Sequence, residues 1–121
     1  MLKFLSPTVH GYIDYLAAIA LIVSPFFVIP AEAPAIATWL SIAAGSALII
    51  YSLITDYSVS ARRAIPFPVH LAIDFIAGVT FLITPFVLDF SGITELYYWV
   101  MGSAIILVVF FTNATSAELE E

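Results

Sequence analysis

The chain has 121 residues, 63% of them hydrophobic and only 10% charged, where a soluble domain typically carries about a quarter charged residues, so a water-soluble globular fold is excluded. Three basic against nine acidic side chains give a net charge of −6, which leaves nothing to neutralise phosphates and excludes nucleic acid as a partner. The absence of cysteine excludes disulfides, thiolate metal sites and thiol nucleophiles.

Ser6 ahead of Pro7 marks the first helix start, because the serine can cap and proline lacks the N–H that a first turn leaves unpaired. The apolar block that follows runs from about Val9 to Ile29 and carries Pro25 near its far end. Ile29 to Pro34 holds two prolines and Glu32, which is loop chemistry. A second block runs from about Ile36 to Thr55 and stops at Asp56. Pro66 and Pro68 precede a third, Val69 to Val87, and Asp89-Phe90-Ser91-Gly92 turns the chain into a fourth, about Ile93 to Thr112. The acidic tail, 115–121, is expected to fray. A block of about 20 residues covers roughly 30 Å, the hydrocarbon thickness of a bilayer, and unpaired backbone groups are too costly in lipid for open strands. The expected fold is all-α: one polytopic membrane domain, 1–121, with four transmembrane helices. Lys3, the first apolar block and Ala31-Glu32-Ala33 imitate a secretory signal. Pro34 directly after the cut, and the recurrence of the same segment later in the chain, lead us to expect an uncleaved helix instead.

Basic residues hold their loops on the cytoplasmic side. Lys3 precedes the first block and Arg62-Arg63 lies between the second and third, whereas the opposite loops hold Glu32, Asp89 and Glu95. Both termini are therefore expected in the cytoplasm, with the protein in a bacterial inner (plasma) membrane.

Displacing the sequence by 60 residues lays Val9-His10, Ile13-Asp14, Ala17 and Pro25-Phe26 on Val69-His70, Ile73-Asp74, Ala77 and Pro85-Phe86. A displacement of 57 lays Gly45-Ser46-Ala47 on Gly102-Ser103-Ala104, Thr55 on Thr112 and Asp56 on Asn113. The chain thus reads as a duplicated helical hairpin, unit one 6–58 and unit two 65–114. Each unit crosses twice, so both point the same way and a pseudo-twofold axis along the membrane normal is expected, unlike the inverted repeats of many transporters. Asp14, Ala18 and Ser24-Pro25-Phe26, with Asp74, Gly78 and Thr84-Pro85-Phe86, resemble the SPW-repeat membrane proteins, named for a Ser-Pro-Trp tripeptide at the end of the first helix of a two-helix unit. Both copies depart from it in having Phe for Trp, and the second has Thr for Ser. The resemblance implies a two-unit, four-helix integral membrane protein and carries no activity to particular residues.

Pro25 and Pro85 are expected to bend or stop their helices, with the Ser24 and Thr84 hydroxyls bonding carbonyls of the preceding turn. Gly45, Ser46, Gly102 and Ser103 offer small surfaces for close helix packing, within the chain or between copies of a homo-oligomer. Trp39, Tyr97, Tyr98 and Trp99, and at the other interface Tyr12, Tyr15 and Tyr57, read as aromatic belts.

His10-x-x-x-Asp14 and its copy His70-x-x-x-Asp74 carry the chemistry. A spacing of four puts both side chains on one helix face, and ionisable groups at the start of membrane helices need partners. With Asp56 and Asn113 returning to the same side, one polar cluster at the cytoplasmic end is expected. Four readings are open: a structural layer locking the halves together, a proton or ion path, a divalent metal site such as zinc, and bis-histidine haem ligation in a four-helix bundle. No phosphate loop, hydrolase triad or redox pair is present, so a non-enzymatic scaffold or accessory protein without cofactor is expected first. A small proton- or ion-conducting component comes next, and a haem or metal protein third. Lipid and a second copy of the chain are the expected partners.

Overall fold

The computed structural model describes residues 3–114; the acidic tail lies outside them. Among the described residues the chain is all-helical: α1 (Pro7–Val23), α2 (Pro25–Val28), α3 (Ala35–Leu53), α4 (Phe67–Val87) and α5 (Gly92–Phe111). Helices α3, α4 and α5 are each long and apolar enough to cross a membrane, and α1 is a shorter apolar helix. α1 packs chiefly against α3, and α4 against α5.

The first helix begins as its sequence dictates, with Ser6 Oγ accepting from the Val9 amide at 3.2 Å and Pro7 in the first turn. Its far end is where the two prolines part company. At Pro25 the helix breaks, although Ser24 keeps right-handed angles (φ −63°, ψ −29°) and α2 carries on beyond it. At Pro85 the helix runs through to Val87. Thr84 Oγ1 donates to the Thr80 carbonyl at 2.6 Å, as expected, but Ser24 Oγ reaches instead to Tyr97 Oη at 2.9 Å.

Small residues set the closeness of each packed pair. A Cβ on Gly45 would stand 2.6 Å from the Ala18 carbonyl oxygen of α1, and one on Gly102 would stand 2.8 Å from that of Gly78 in α4. Both glycines therefore serve packing inside the chain. Ser46 is half-buried beside Gly45, and Ser103 faces outward.

The burial pattern is inverted relative to a soluble protein. Phe26, Phe27, Trp39, Ile50, Ile76, Phe86, Val87 and Phe110 are exposed, while His10, Asp14, Ser41, Ser52, Thr55, His70, Asp74 and Thr112 are buried. Apolar side chains facing outward cost nothing where the surroundings are hydrocarbon, and polar ones must then find partners within. The aromatic belt needs correction on this ground. Trp39 and Tyr12 are exposed as a belt requires, but Tyr97 and Tyr98 are 5% and 0% exposed. Tyr97 Oη sits 2.7 Å from Ser41 Oγ, which donates to the Leu21 carbonyl, and Tyr98 Oη donates to the Ala37 carbonyl. These two tyrosines tie α5 to α1 and α3 inside the molecule.

Candidate functional site

The site is built where the ends of α3 and α5 meet the starts of α1 and α4. Two short parallel bridges clip this end together, Leu5 with Thr112 and Thr55 with Ile65. Their hydrogen bonds match across the repeat. The Leu5 amide donates to the Phe111 carbonyl and the Asn113 amide to that of Leu5, both at 2.8 Å, while the Ile65 amide donates to Ile54 and that of Asp56 to Ile65, both at 2.7 Å. Each bridge joins one repeat unit to the lead-in of the unit-two helix or, reciprocally, of the unit-one helix. Asp56 and Asn113, which correspond in sequence, donate their backbone amides to the two clips. The Asp56 carboxylate itself sits at the rim, 3.7 Å from the Arg63 guanidinium and partly exposed.

Inside the clip lie His10, Asp14, His70 and Asp74. Both imidazoles are fully buried and both carboxylates are 4% exposed. The histidines pair across the repeat as well as within it. His10 Nε2 is 2.9 Å from Asp74 Oδ2 and 3.1 Å from Asp14 Oδ1; His70 Nε2 is 2.8 Å from Asp14 Oδ2 and 3.2 Å from Asp74 Oδ2. One ligating atom from each of the four residues falls within 4.8 Å of all the others. The ring centroids are 5.5 Å apart and the planes nearly perpendicular, at 80°.

The far sides of the rings are held by two threonines. His10 Nδ1 lies 2.8 Å from Thr112 Oγ1, and His70 Nδ1 lies 2.7 Å from Thr55 Oγ1. Thr112 and Thr55 donate their own protons to the carbonyls of Val108 and Tyr51, four residues back. A hydroxyl has one proton to give, so each threonine accepts, and the network assigns the Nδ1 proton to both rings. Nε2 of each ring then either carries a second proton or presents a lone pair toward the carboxylates.

Two tyrosines complete the layer from outside. Tyr57 Oη donates to Asp14 Oδ2 at 3.0 Å, and Tyr51 Oη donates to Asp74 Oδ1. Burial, and then the adjacent Asp14 carboxylate, push the Tyr57 phenol well above its usual range, so it keeps its proton and acts as a donor. The connection between α3 and α4 folds back over α1 to deliver it. Tyr15 Oη donates to the Val59 carbonyl at 3.0 Å, and a Cβ on Gly11 would collide with Val59. Phe67 stacks on His70 and meets His10 edge-on.

Sequence reasoning brings together His10, Asp14, His70 and Asp74, and these do meet. It passes over Thr55, Thr112, Tyr51 and Tyr57 as site residues, although the match of Thr55 with Thr112 across the repeat was a usable signal. Directly beyond the carboxylates, toward the middle of the molecule, lies an apolar cavity of about 130 Å³ between the two packed pairs, bordered by Asp14, Tyr51, Asp74, Ala17, Ala77 and Phe81 among others.

No curated protein and no solved structure matches this chain. The family model of the SPW repeat domain matches residues 8–113, a stretch that holds both His/Asp pairs, Pro25 and Pro85. With nearly the whole chain inside that match, the protein belongs to the SPW repeat family.

Proposed function

We propose that this is a four-span integral membrane protein, two tandem helical hairpins about a pseudo-twofold axis along the membrane normal, acting as a non-enzymatic scaffold or accessory protein. Its His/Asp layer is the clasp that holds the hairpins in register. The observation that carries the reading is that the shorter carboxylate contact and the threonine contact of each histidine cross the repeat: His10 with Asp74 and Thr112, His70 with Asp14 and Thr55. An interaction inside one hairpin would not need its mate, whereas this layer is incomplete without both. Lys3, Arg62 and Arg63 belong to the segments at the same end of the chain's fold, and basic residues favour the cytoplasmic side, which supports reading the layer and both termini as facing the cytoplasm from a plasma (inner) membrane. The exposed apolar faces of α3 and α5 are suited to self-association in the bilayer.

Because the chain lacks cysteine, single cysteines introduced at Lys3, Glu32 and Asp89 report sidedness cleanly. Impermeant thiol reagents should label Glu32→Cys and Asp89→Cys from one face and Lys3→Cys only after permeabilisation; labelling of all three from one face refutes four crossings. The clasp is tested by His10→Ala with His70→Ala, which should lower the thermal midpoint of the purified protein by many degrees while leaving insertion intact.

A second reading, a small proton- or ion-conducting component, is favoured by the cavity that reaches Asp14 and Asp74 from mid-membrane. Under it, Asp14→Asn with Asp74→Asn abolishes flux in proteoliposomes at unchanged assembly. Bis-histidine haem fits less well, because both Nε2 atoms already face carboxylates at 2.8–3.2 Å and a porphyrin between the rings has to displace them.

A further inference from the structure

We propose that the layer formed by His10, Asp14, His70 and Asp74 is a binding site for one divalent transition-metal ion of the zinc class. The inference deepens the reading of these residues as a single layer and rests on it only to that extent.

The donor set is two imidazole nitrogens and two carboxylate oxygens, one from each residue, all buried and all within 4.8 Å of one another. Tetrahedral ligands held at roughly 2.0–2.1 Å from zinc stand about 3.3 Å apart. The nitrogen–oxygen separations of 2.8–3.2 Å, which engage both oxygens of Asp14, lie just under that spacing, and the widest separation in the four-atom set, up to 4.8 Å, has to close toward it. His70 Nε2 points the same way. It is fully buried and 2.8 Å from Asp14 Oδ2, yet it makes no aligned hydrogen bond.

The surroundings are those of ligands held ready. A metal-binding histidine almost always donates its other N–H to a fixed acceptor, which orients the ring and sets its tautomer. Thr112 and Thr55 do this for His10 and His70, their own protons being committed to backbone carbonyls. Ligating carboxylates are likewise hydrogen-bonded from outside, here by Tyr57 on Asp14 and Tyr51 on Asp74. Charge balances too: a divalent ion with two carboxylates and two neutral imidazoles is neutral overall, as low-dielectric surroundings demand. Nitrogen and oxygen donors in equal number suit zinc and its first-row neighbours. Magnesium and calcium take six or more oxygens, and two histidines supply none.

The test uses the full chain in detergent micelles, stripped with a chelator and titrated with Co2+. The expected result is one Co2+ bound per chain, with the visible absorption of a four-coordinate site, displaced by Zn2+. Asp14→Asn and Asp74→Asn, which keep an oxygen for the tyrosine hydroxyls, should weaken binding more than Tyr57→Phe, which leaves all four ligands and costs about 10- to 100-fold. Absence of Co2+ binding by the stripped, still helical wild type overturns the proposal, as does binding that neither Asp→Asn change alters, which puts the ion elsewhere. Should an Asp variant fail to fold, the wild-type cobalt spectrum and the Tyr57→Phe affinity decide. The clasp is read separately, from the thermal midpoint of stripped wild type against the stripped double-histidine variant: equal midpoints refute the clasp and leave the metal site standing, whereas a lowered midpoint without cobalt binding does the opposite.

Discussion

The two ends of the molecule are both joined by buried polar groups, but they are joined differently. At one end, ionisable side chains that correspond across the repeat meet in one layer, His10 with His70 and Asp14 with Asp74, and the corresponding threonines hold the two imidazoles alike, Thr112 on His10 and Thr55 on His70. At the other, neutral hydroxyls meet unequally: Ser24 and Ser41 from the first unit converge on Tyr97 of the second, while Thr84, the counterpart of Ser24, turns back on its own helix. A hydroxyl in an apolar setting is satisfied by any nearby carbonyl, so one copy is free to change partners. A carboxylate there has few acceptable neighbours, because leaving it unpaired is far more costly. The correspondence between the two units is closest where charge enforces it.

The comparison is broken most severely by emptying one carboxylate. Asp74→Ala removes one of the two carboxylates that each histidine faces, and the acceptor of Tyr51, and breaking one side of a buried ionic layer costs about 3–5 kcal/mol. Unfolding in mixed micelles should register that loss, and a cost below about 1 kcal/mol would mean the layer behaves like a surface pair. Next come Thr55→Val and Thr112→Val, each of which leaves a buried Nδ1–H without an acceptor, at about 1–3 kcal/mol. If the pseudo-symmetry is energetic as well as geometric, the two substitutions cost the same within the error of the measurement; a clear inequality would show that Tyr51, which has no counterpart in the second unit, biases the layer.

Much of the ionisable end was legible in advance because its signals are periodic. His and Asp at a spacing of four, repeated at a displacement of 60, specify one helix face twice, and a doubled hairpin returns both faces to the same end. Tyr57 was not legible, since it arrives from the connection between α3 and α4, and no helical period says where such a loop side chain will point. Asp56 and Asn113, which sequence alone reads as side-chain chemistry, occupy matching places in the backbone clips with Ile65 and Leu5. At the hydroxyl end, Tyr97 and Tyr98 sit near a helix start where an interfacial belt is the natural reading. Their burial depends on contacts with α1 and α3, which only the tertiary arrangement supplies. The unequal behaviour of Pro25 and Pro85 goes with a difference of the same kind: the Ser24 hydroxyl leaves its helix for Tyr97, whereas that of Thr84 stays on the Thr80 carbonyl of its own helix.

The hydroxyl end should therefore respond more mildly. Tyr97→Phe removes the bridge between Ser24 and Ser41, but Ser41 keeps its bond to the Leu21 carbonyl at 2.7 Å. Interhelical polar contacts of this sort average about 0.6 kcal/mol and reach about 1.7. The same unfolding assay should place Tyr97→Phe in that range, several times below Asp74→Ala. Equal costs at the two ends would remove the distinction between charged and neutral joints.

Between the ends lies the smallest expected effect and the sharpest question. Ala17 and Ala77 are repeat mates, and both border the apolar cavity that ends at the carboxylates. Replacing either with valine places methyl groups in that cavity, and cavity filling commonly stabilises by about 0.5–2 kcal/mol, here at the lower limit because β-branching costs a little in a helix. If the two ends alone hold the hairpins and the space between them is passive, Ala17→Val and Ala77→Val leave proton leak in liposomes unchanged and raise stability slightly. If the cavity is a route to Asp14 and Asp74, the same substitutions reduce leak while stability still rises, and this divergence separates a clasp from a conduit without altering any ionisable residue.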